Sequence, residues 1–307
     1  EKELGLSGRK DIEAMGVEKF NKLCRESVFR YTEQWNGLFE RLARWVDIEN
    51  GYATLDANYM ESIWWVFKQI WDKGMMYQGF KAMQICPRCV TPLSNFEVSQ
   101  GYKDVTDLSV TMKFELEEEP GTFFLAWTTT PWSSLSVTGL ALGNEIDYVK
   151  IECEGVRYIL AQKRVEAFFK DREVKVLESF KGTALLGKKY KHLYAEFYEL
   201  PQVKEAKKVF ETVDAPYVSD EDGTGVVTIN GAFGEVDMES AQRHGLPMIV
   251  NVSMEGFFDK TVPQFAGKYV KTQEQNIAKY LDERGLLFKS ENFRHSYPHC
   301  WRCDTPL

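Results

Sequence analysis

The 307-residue chain is 44% hydrophobic and 27% charged, with a formal net charge of −8. That is the composition of a soluble globular protein rather than a disordered segment, and its acidic balance argues against an indiscriminate nucleic-acid binder. No apolar run approaches the roughly 20 residues needed to span a bilayer, no secretory h-region is present, and a start at Glu1 rather than Met suggests a piece of something longer.

The first eighty or so residues read as helical. Between Val17 and Leu42, the residues Phe20, Leu23, Tyr31, Trp35, Leu38 and Leu42 recur at three- and four-residue spacing and predict one amphipathic helix. Asp56 is placed to cap a second, in which Met60, Ile63, Trp64, Phe67, Ile70 and Trp71 form the stripe and Gly74 marks the end. The aromatic residues of both stripes are expected to be core.

The next stretch, Cys86-Pro-Arg-Cys89-Val-Thr-Pro-Leu, recurs near the end of the chain as Cys300-Trp-Arg-Cys303-Asp-Thr-Pro-Leu. Two Cys-x-x-Cys knuckles with the same following turn are the halves of a four-thiolate zinc site. Such halves usually stand about 15–20 residues apart, whereas residues 90–299 lie between these. The metal is therefore expected to clamp the base of a large insert. Paired knuckles favour zinc in a reducing cytosol over disulfides, and a cytoplasmic location follows as an expectation. Cys24, in the first helix, and Cys153, in a strand, are expected to be buried free thiols.

After Cys89 the pattern changes to period two. Val110, Met112, Phe114 and Leu116 alternate with polar residues, and Thr122–Thr130 is a mostly apolar strand. Tyr148–Cys153 and Val156–Leu160 bracket Glu154-Gly155 as a hairpin. Val174–Val176, Tyr217–Val218, Val226–Ile229 and Met248–Val252 continue the strand reading, with short helices at Gln162–Phe169, Glu235–His244 and Thr272–Arg284. The fold class predicted is α+β, with a β-barrel-like module inserted through a four-cysteine zinc-ribbon stem into a helical segment. The expected divisions are 1–84 for the helical segment, 85–100 and 292–307 for the stem, and 101–291 for the insert. Three basic stretches, Lys163-Arg164, Lys188–Lys191 and Lys204–Lys208, read either as solvated faces or as phosphate-tracking surface.

Two segments of the insert exceed what a scaffold needs. In Trp127-Thr128-Thr129-Thr130-Pro131-Trp132, three threonines present hydroxyls on both faces of a strand that the proline stops; an edge strand with solvated hydroxyls is the plainer alternative. In Gly223-Thr-Gly225-Val-Val-Thr228-Ile-Asn-Gly231-Ala-Phe-Gly234-Glu-Val-Asp237, a glycine-rich turn feeds a strand, a second glycine-rich loop and a helix with an acid in its first turn. The spacing is neither a Walker loop nor a dinucleotide fingerprint, and Asp237 by itself reads as a helix-start carboxylate.

Together these stretches resemble the connective insertion of the isoleucyl-tRNA synthetase family, with its flanking class I catalytic domain. Trp127–Trp132 and Gly223-Thr-Gly-Val-Val are similar to signature stretches of that family's editing domain. Leucyl and valyl relatives carry Thr-Thr-Arg-Pro where this chain has Thr-Thr-Thr-Pro. Glu1–Gly5, Trp64–Gly74 and Cys-Pro-Arg-Cys-x-Thr-Pro-Leu-Ser-Asn resemble the isoleucyl enzymes as well. The family's His-Ile-Gly-His and Lys-Met-Ser-Lys-Ser motifs are absent. The resemblance therefore assigns ATP and Mg2+ only to a full-length synthetase and leaves a hydrolytic activity to this stretch.

What the resemblance implies is proofreading. A pocket discriminates one methylene by only about 1–3 kcal/mol, the known limitation for isoleucine against valine in these enzymes, and a second site hydrolyses the mischarged valyl-tRNA(Ile). By that likeness Asp237 holds the substrate α-ammonium. Thr128, Thr129 and Thr130 line the pocket and orient the carbonyl or the water, with Trp127, Gly225 and Thr228 as further substrate contacts. Cys86, Cys89, Cys300 and Cys303 hold a structural Zn2+. The partners implied are the tRNA(Ile) acceptor end and valine or another noncognate aminoacyl group, with no membrane and a monomeric chain. The family usually has histidine where this chain has Thr228, proline where it has Gly231, and Thr-Leu-Pro-x-Asn where it has Ser133–Val137; threonine cannot titrate near neutral pH as imidazole does. An editing-inactive, zinc-stabilised insert that only positions the acceptor end is the competing reading. A redox scaffold built on the Cys pairs is a third.

Overall fold

The computed structural model describes residues 2–6, 8–44 and 46–307; Glu1, the first residue of the Glu1–Gly5 stretch, lies outside them. The chain divides into two compact units, Glu1–Phe80 and Lys81–Leu307.

The first unit contains α1 (Arg9–Met15), α2 (Val17–Arg41) and α3 (Ala57–Asp72). The three- and four-residue spacing gave both long helices their extent. Gly74, at φ +67°, ends α3 as expected. Asp56 stands at the α3 N-cap, but its carboxylate accepts the Ala53 N–H at 3.3 Å and makes no cap bond to the helix. Neither α2 nor α3 buries a described side chain. Trp35 is 58% exposed and Trp64 66%, so the aromatic stripes expected to be core are open surface in this chain. Cys24 is exposed with them rather than buried. The reason is the missing second layer: an apolar stripe is buried only where another element packs on it, and no described element of this unit covers these two.

The second unit begins with β1 (Ile85–Cys86), β2 (Thr91–Pro92) and α4 (Asn95–Ser99), followed by β3 (Tyr102–Glu115), β4 (Thr122–Thr128), β5 (Gly139–Leu142), β6 (Asp147–Cys153) and β7 (Val156–Ala161). After α5 (Val165–Phe169) come β8 (Lys175–Lys181), α6 (Pro201–Glu205), β9 (Glu211–Asp214), β10 (Val226–Ile229), α7 (Glu235–His244), α8 (Glu274–Glu283) and β11 (Leu287–Pro298). Glu154 and Gly155 both take positive φ, the I′ geometry that a two-residue hairpin loop requires.

The strands form a six-stranded sheet, ordered β11-β3-β4-β7-β6-β8, and a three-stranded sheet, ordered β10-β5-β9. Both ladders are open, so the barrel-like closure expected from the many short strands is replaced by two sheets that share a core. Alternation explains the sharing. Phe124 and Ala126 of β4, Tyr148 of β6 and Ile159 of β7 face the main cluster together with Leu140 and Leu142 of β5. Leu125, Val149 and Leu160 face the opposite cluster, against Phe169 of α5. On the far side of the smaller sheet, Ala141, Val213 and Ile229 pack on Ala241 of α7. Cys153 is buried, as expected.

Two predicted strands do not form. Tyr217 lies in a turn and Val218 in irregular chain, and of Met248–Val252 only Val252 makes an isolated bridge, to Phe258. Val218 and Ile249 are nevertheless buried, because apolar character reports burial and not whether a ladder partner is present. Strand β4 stops at Thr128 because Pro131 opens a 3-10 turn, Pro131–Ser136.

Strands β3 and β11 pair in antiparallel register from Leu287↔Met112 to Pro298↔Tyr102. The division expected between residues 291 and 292 falls inside β11. At the far end, the ribbon meets the knuckles through a close approach: a Cβ on Gly101 would lie 1.8 Å from the His299 carbonyl oxygen, so only glycine fits. Lys271 clasps the ribbon, with Nζ 3.3 Å from Asp107 and 3.3 Å from Glu274.

Five lysines of the basic stretches lie in ion pairs. Lys163 pairs with Asp220 and Glu221, Lys188 with Glu118, Lys191 with Glu115, Lys204 with Glu199 and Lys208 with Glu211.

Tyr148 ties the core to the glycine-rich segment. Its buried hydroxyl accepts the Gly143 N–H at 3.0 Å and donates to the Gly225 carbonyl at 2.6 Å. Replacing Tyr148→Phe leaves two buried backbone groups unmet and is expected to destabilise the chain by about 1–3 kcal/mol, read as a lower urea midpoint at unchanged slope.

Candidate functional site

Three groups of residues singled out by the sequence find their places in the second unit. The first is the set of four cysteines. The sulfurs of Cys86, Cys89, Cys300 and Cys303 all lie within 4.8 Å of one another, with 3.4 Å between Cys86 and Cys303 and 3.5 Å between Cys89 and Cys303. Four thiols so gathered could hold one metal ion. The two knuckles are built alike. Val90 N–H donates to Cys86 O and Asp304 N–H to Cys300 O, each at 2.8 Å, and Val90 and Asp304 take left-handed φ of 51° and 64°. Glu97 of α4 joins them. It completes a capping box with Ser94 and accepts Trp301 Nε1 and Arg302 Nη2 from the other knuckle, each at 2.9 Å. The Ser94 N–H, and then these donors, hold its carboxyl down at about 2.

The second group is the threonine strip where β4 ends. Thr128 Oγ1 lies 3.1 Å from Thr130 Oγ1, which lies 3.0 Å from Ser133 Oγ. The Thr130 N–H, freed by the end of the ladder, donates to Thr128 Oγ1 at 3.1 Å. The result is a run of three linked hydroxyls at the mouth of the 3-10 turn. Thr129 is half-buried and its hydroxyl makes no hydrogen bond among the described residues. Trp127 packs edge-on against Phe293 of β11, with ring centroids 5.0 Å apart.

The third group surrounds Asp237 in the first turn of α7. Its Oδ2 accepts the Asn230 N–H at 3.0 Å, so it caps the loop after β10 and not its own helix. Asn230 Nδ2 lies 3.4 Å from Thr228 Oγ1, and both side chains are buried, at 4% and 6% exposure. Asn230 Oδ1 has no hydrogen-bond partner. The buried hydroxyls of Tyr217 and Ser240 sit beside one another and find no other polar partner. Burial pushes the Tyr217 phenol up to about 12, with the Asp237 charge adding to it. Burial likewise pushes the Asp237 carboxyl up to about 6 against the single opposing Asn230 N–H. Each orphaned buried polar group costs about 1–3 kcal/mol, so the cluster suits a ligand or ordered water with donors of its own.

The fold brings the two motif segments together. A Cβ on Gly223 would stand 3.3 Å from the Trp127 ring, and one on Gly225, at φ +74°, would stand 2.4 Å from Ala161 Cβ. Trp132, just after the threonines, packs edge-on against Phe233, just before α7, with centroids 5.1 Å apart. No hydrogen bond among the described residues joins the threonine run to Asp237. Sequence reading passed over Ser133, Tyr217, Asn230 and Ser240. Only Asn230 carried a signal, as an amide ending an apolar strand. A separate cleft of 330 Å³, lined by Asp107, Lys271, Glu274 and Asn292 among others, contains none of the motif residues.

A family model described as tRNA synthetases class I (I, L, M and V) matches residues 1–291. The isoleucine–tRNA ligase of Clostridium tetani is 44% identical over 307 residues, covering 100% of this chain and 29% of its own length. The cytoplasmic isoleucine–tRNA ligase of Mus musculus is 43% identical over 316 residues, covering 100% of this chain and 25% of its own. The crystal structure of the Plasmodium knowlesi cytosolic leucyl-tRNA synthetase editing domain is 10% identical, with a TM-score of 0.43, covering 64% of this chain and 98% of that one. This chain thus spans under a third of the length of these ligases. Among the described residues, no helix is long and apolar enough to cross a membrane.

The raised Asp237 carboxyl has a consequence for stability. Its folded value of about 6 lies above the ordinary 3.8. Between those values the folded state keeps a proton that the unfolded state has lost, so this group's contribution falls as pH rises from about 4 to 6. Asp237→Asn, which keeps an acceptor for the Asn230 N–H, is expected to stabilise the chain at pH 7.5 by about 1–3 kcal/mol. In urea titrations the gain should vanish near pH 4.

Proposed function

The chain belongs to the class I tRNA synthetases, and from that premise we propose that its β-rich insert, residues 101–291, removes valine from mischarged tRNA(Ile). Residues 1–84 are then a helical segment of the catalytic domain, and 85–100 with 292–307 a metal-pinned stem. The observation that carries the reading is the half-buried Asp237 among orphaned polar atoms, in the helix turn just after the loop that Phe233 packs against Trp132 of the threonine segment.

In this reading the Asp237 carboxylate takes the α-ammonium of the aminoacyl group through a charge-assisted hydrogen bond. Trp127, Gly225 and Thr228 shape the surrounding wall. The linked hydroxyls of Thr128 and Thr130, with the free hydroxyl of Thr129, orient a water and the ester carbonyl. Water adds to the acyl carbon, the bond to the ribose oxygen breaks, and valine and deacylated tRNA leave. No covalent enzyme intermediate is needed, since positioning and fixed dipoles supply the rate. The ion paired with this donor set is zinc: four thiolates leave no open position, so its role is structural. The acid-paired lysines of the insert weigh against the competing reading, in which it only tracks tRNA phosphates.

Valyl-tRNA(Ile) supplied to the chain should be hydrolysed, with kcat/KM rising with pH through about 6 as Asp237 ionises. Asp237→Ala should lower it by about 10- to 100-fold while tRNA binding persists. A wild-type chain that binds but never hydrolyses valyl-tRNA would overturn the proposal. Metal analysis should give zinc equimolar with the chain. Its removal by a chelator, or Cys300→Ser, should lower the melting temperature of the second unit.

A further inference from the structure

Asn230 has a place in this site that the threonines and Asp237 do not account for. Its backbone N–H fixes Asp237 Oδ2 at 3.0 Å. Its side-chain Nδ2 faces Thr228 Oγ1 at 3.4 Å, which turns Oδ1 away from that hydroxyl. Asn230 is 4% exposed, and Oδ1 is buried without a hydrogen-bond partner. An amide oxygen is an acceptor only, so what answers it must be a donor. Among the described residues none does. The carboxylate beside it in the chain of contacts is also an acceptor, and two acceptors held by one residue suit a group with several N–H donors and a positive charge.

We propose that Asn230 Oδ1 is a second acceptor for the substrate's α-ammonium, so that Asn230 and Asp237 together select an acyl group bearing an α-amine. This rests on the editing reading above and extends it. Asp237 supplies charge and is blind to how many N–H bonds the ligand offers. The neutral amide adds direction, since it contributes only when a donor points at it. Thr228 is then a positioning residue, holding the amide so that its oxygen faces the ligand.

The test uses two ester substrates that differ only in the amine: valyl-tRNA(Ile) and the same tRNA carrying an isovaleryl group. Non-hydrolysable valylamido- and isovalerylamido-adenosine serve for binding. In Asn230→Ala, kcat/KM for the valyl ester and affinity for the valyl amide should fall about tenfold or more, with the isovaleryl pair unchanged. Asn230→Asp, which keeps a carbonyl-type acceptor, should restore most of the loss. Thermal unfolding of each variant separates misfolding from lost recognition, because misfolding lowers both pairs together. An equal loss on both pairs, or none on either, overturns the role of Asn230 while leaving the editing reading intact. Amine-selective binding that depends on Asn230, without hydrolysis by the wild type, supports the amide's role and overturns only the hydrolytic reading. A wild type that neither binds nor hydrolyses overturns both.

Discussion

Four sulfur atoms bring together two points of the chain that residues 90–299 separate, and the second unit is organised from that closure. Strand β3 leaves one knuckle and β11 returns to the other, so the gathered thiols set the register of the longest ladder in the fold, from Tyr102↔Pro298 inward. Loop closure grows costlier only as the logarithm of loop length, and a clip that closes a long loop removes much of that cost. Glu97, on the helix that follows one knuckle and bonded to Trp301 and Arg302 of the other, and Gly101, pressed against the His299 carbonyl, show how little slack remains at this end. The Asp107–Lys271–Glu274 contacts hold the ribbon again where it reaches the body. A ribbon fixed at both ends delivers β3, and through it β4, to the core in one register.

That register places the threonines. Strand β4 carries Phe124 and Ala126 to one core and Leu125 to the other, which leaves Trp127 and Thr128 at the rim, where the ladder runs out. The smaller sheet performs the same service for the second segment: β10 pairs with β5 from Val226↔Leu142 to Ile229↔Gly139, so Asn230 emerges just past the ladder, facing the first turn of α7. Both segments end where backbone pairing stops. Side chains there must satisfy the freed groups, and Thr128 Oγ1 and Asp237 Oδ2 each take a backbone N–H in this way. The donors and acceptors left over are those proposed to meet the substrate.

Burial of polar groups without partners is unfavourable, yet the fold leaves several, among them Tyr190 OH, Tyr194 OH, His192 Nε2 and both amide atoms of Asn251. Other polar groups are met: Lys188 and Lys191 pair with carboxylates, and Tyr148 commits its hydroxyl to two backbone groups. What distinguishes the surroundings of Asp237 is that three such groups, Asn230 Oδ1, Tyr217 OH and Ser240 Oγ, gather about a carboxyl held near 6. That grouping supports the proposal of a site completed by something it binds. The proposed α-ammonium would answer it with both charge and donors.

Much of this was legible in the chain itself. Knuckle spacing, the two long helices, the Glu154-Gly155 hairpin and β10 followed from local rules, because turn geometry, helical period and strand alternation are fixed by neighbouring residues. The repeated Cys-x-x-Cys also told which distant points must meet. Other features were decided only by tertiary packing. Whether the aromatic stripes of α2 and α3 are covered depends on a second layer, and their sequence is the same covered or bare. That Val218 and Ile249 are buried without lying in strands depends on available ladder partners. Open sheets in place of a barrel depend on which strands share an edge. The choice of Asn230, Tyr217 and Ser240 as the neighbours of Asp237 belongs to the same class. An orphaned hydrogen bond is a relation between elements far apart in the chain, and sequence records each residue's capacity to bond but not whether the fold leaves that capacity unused.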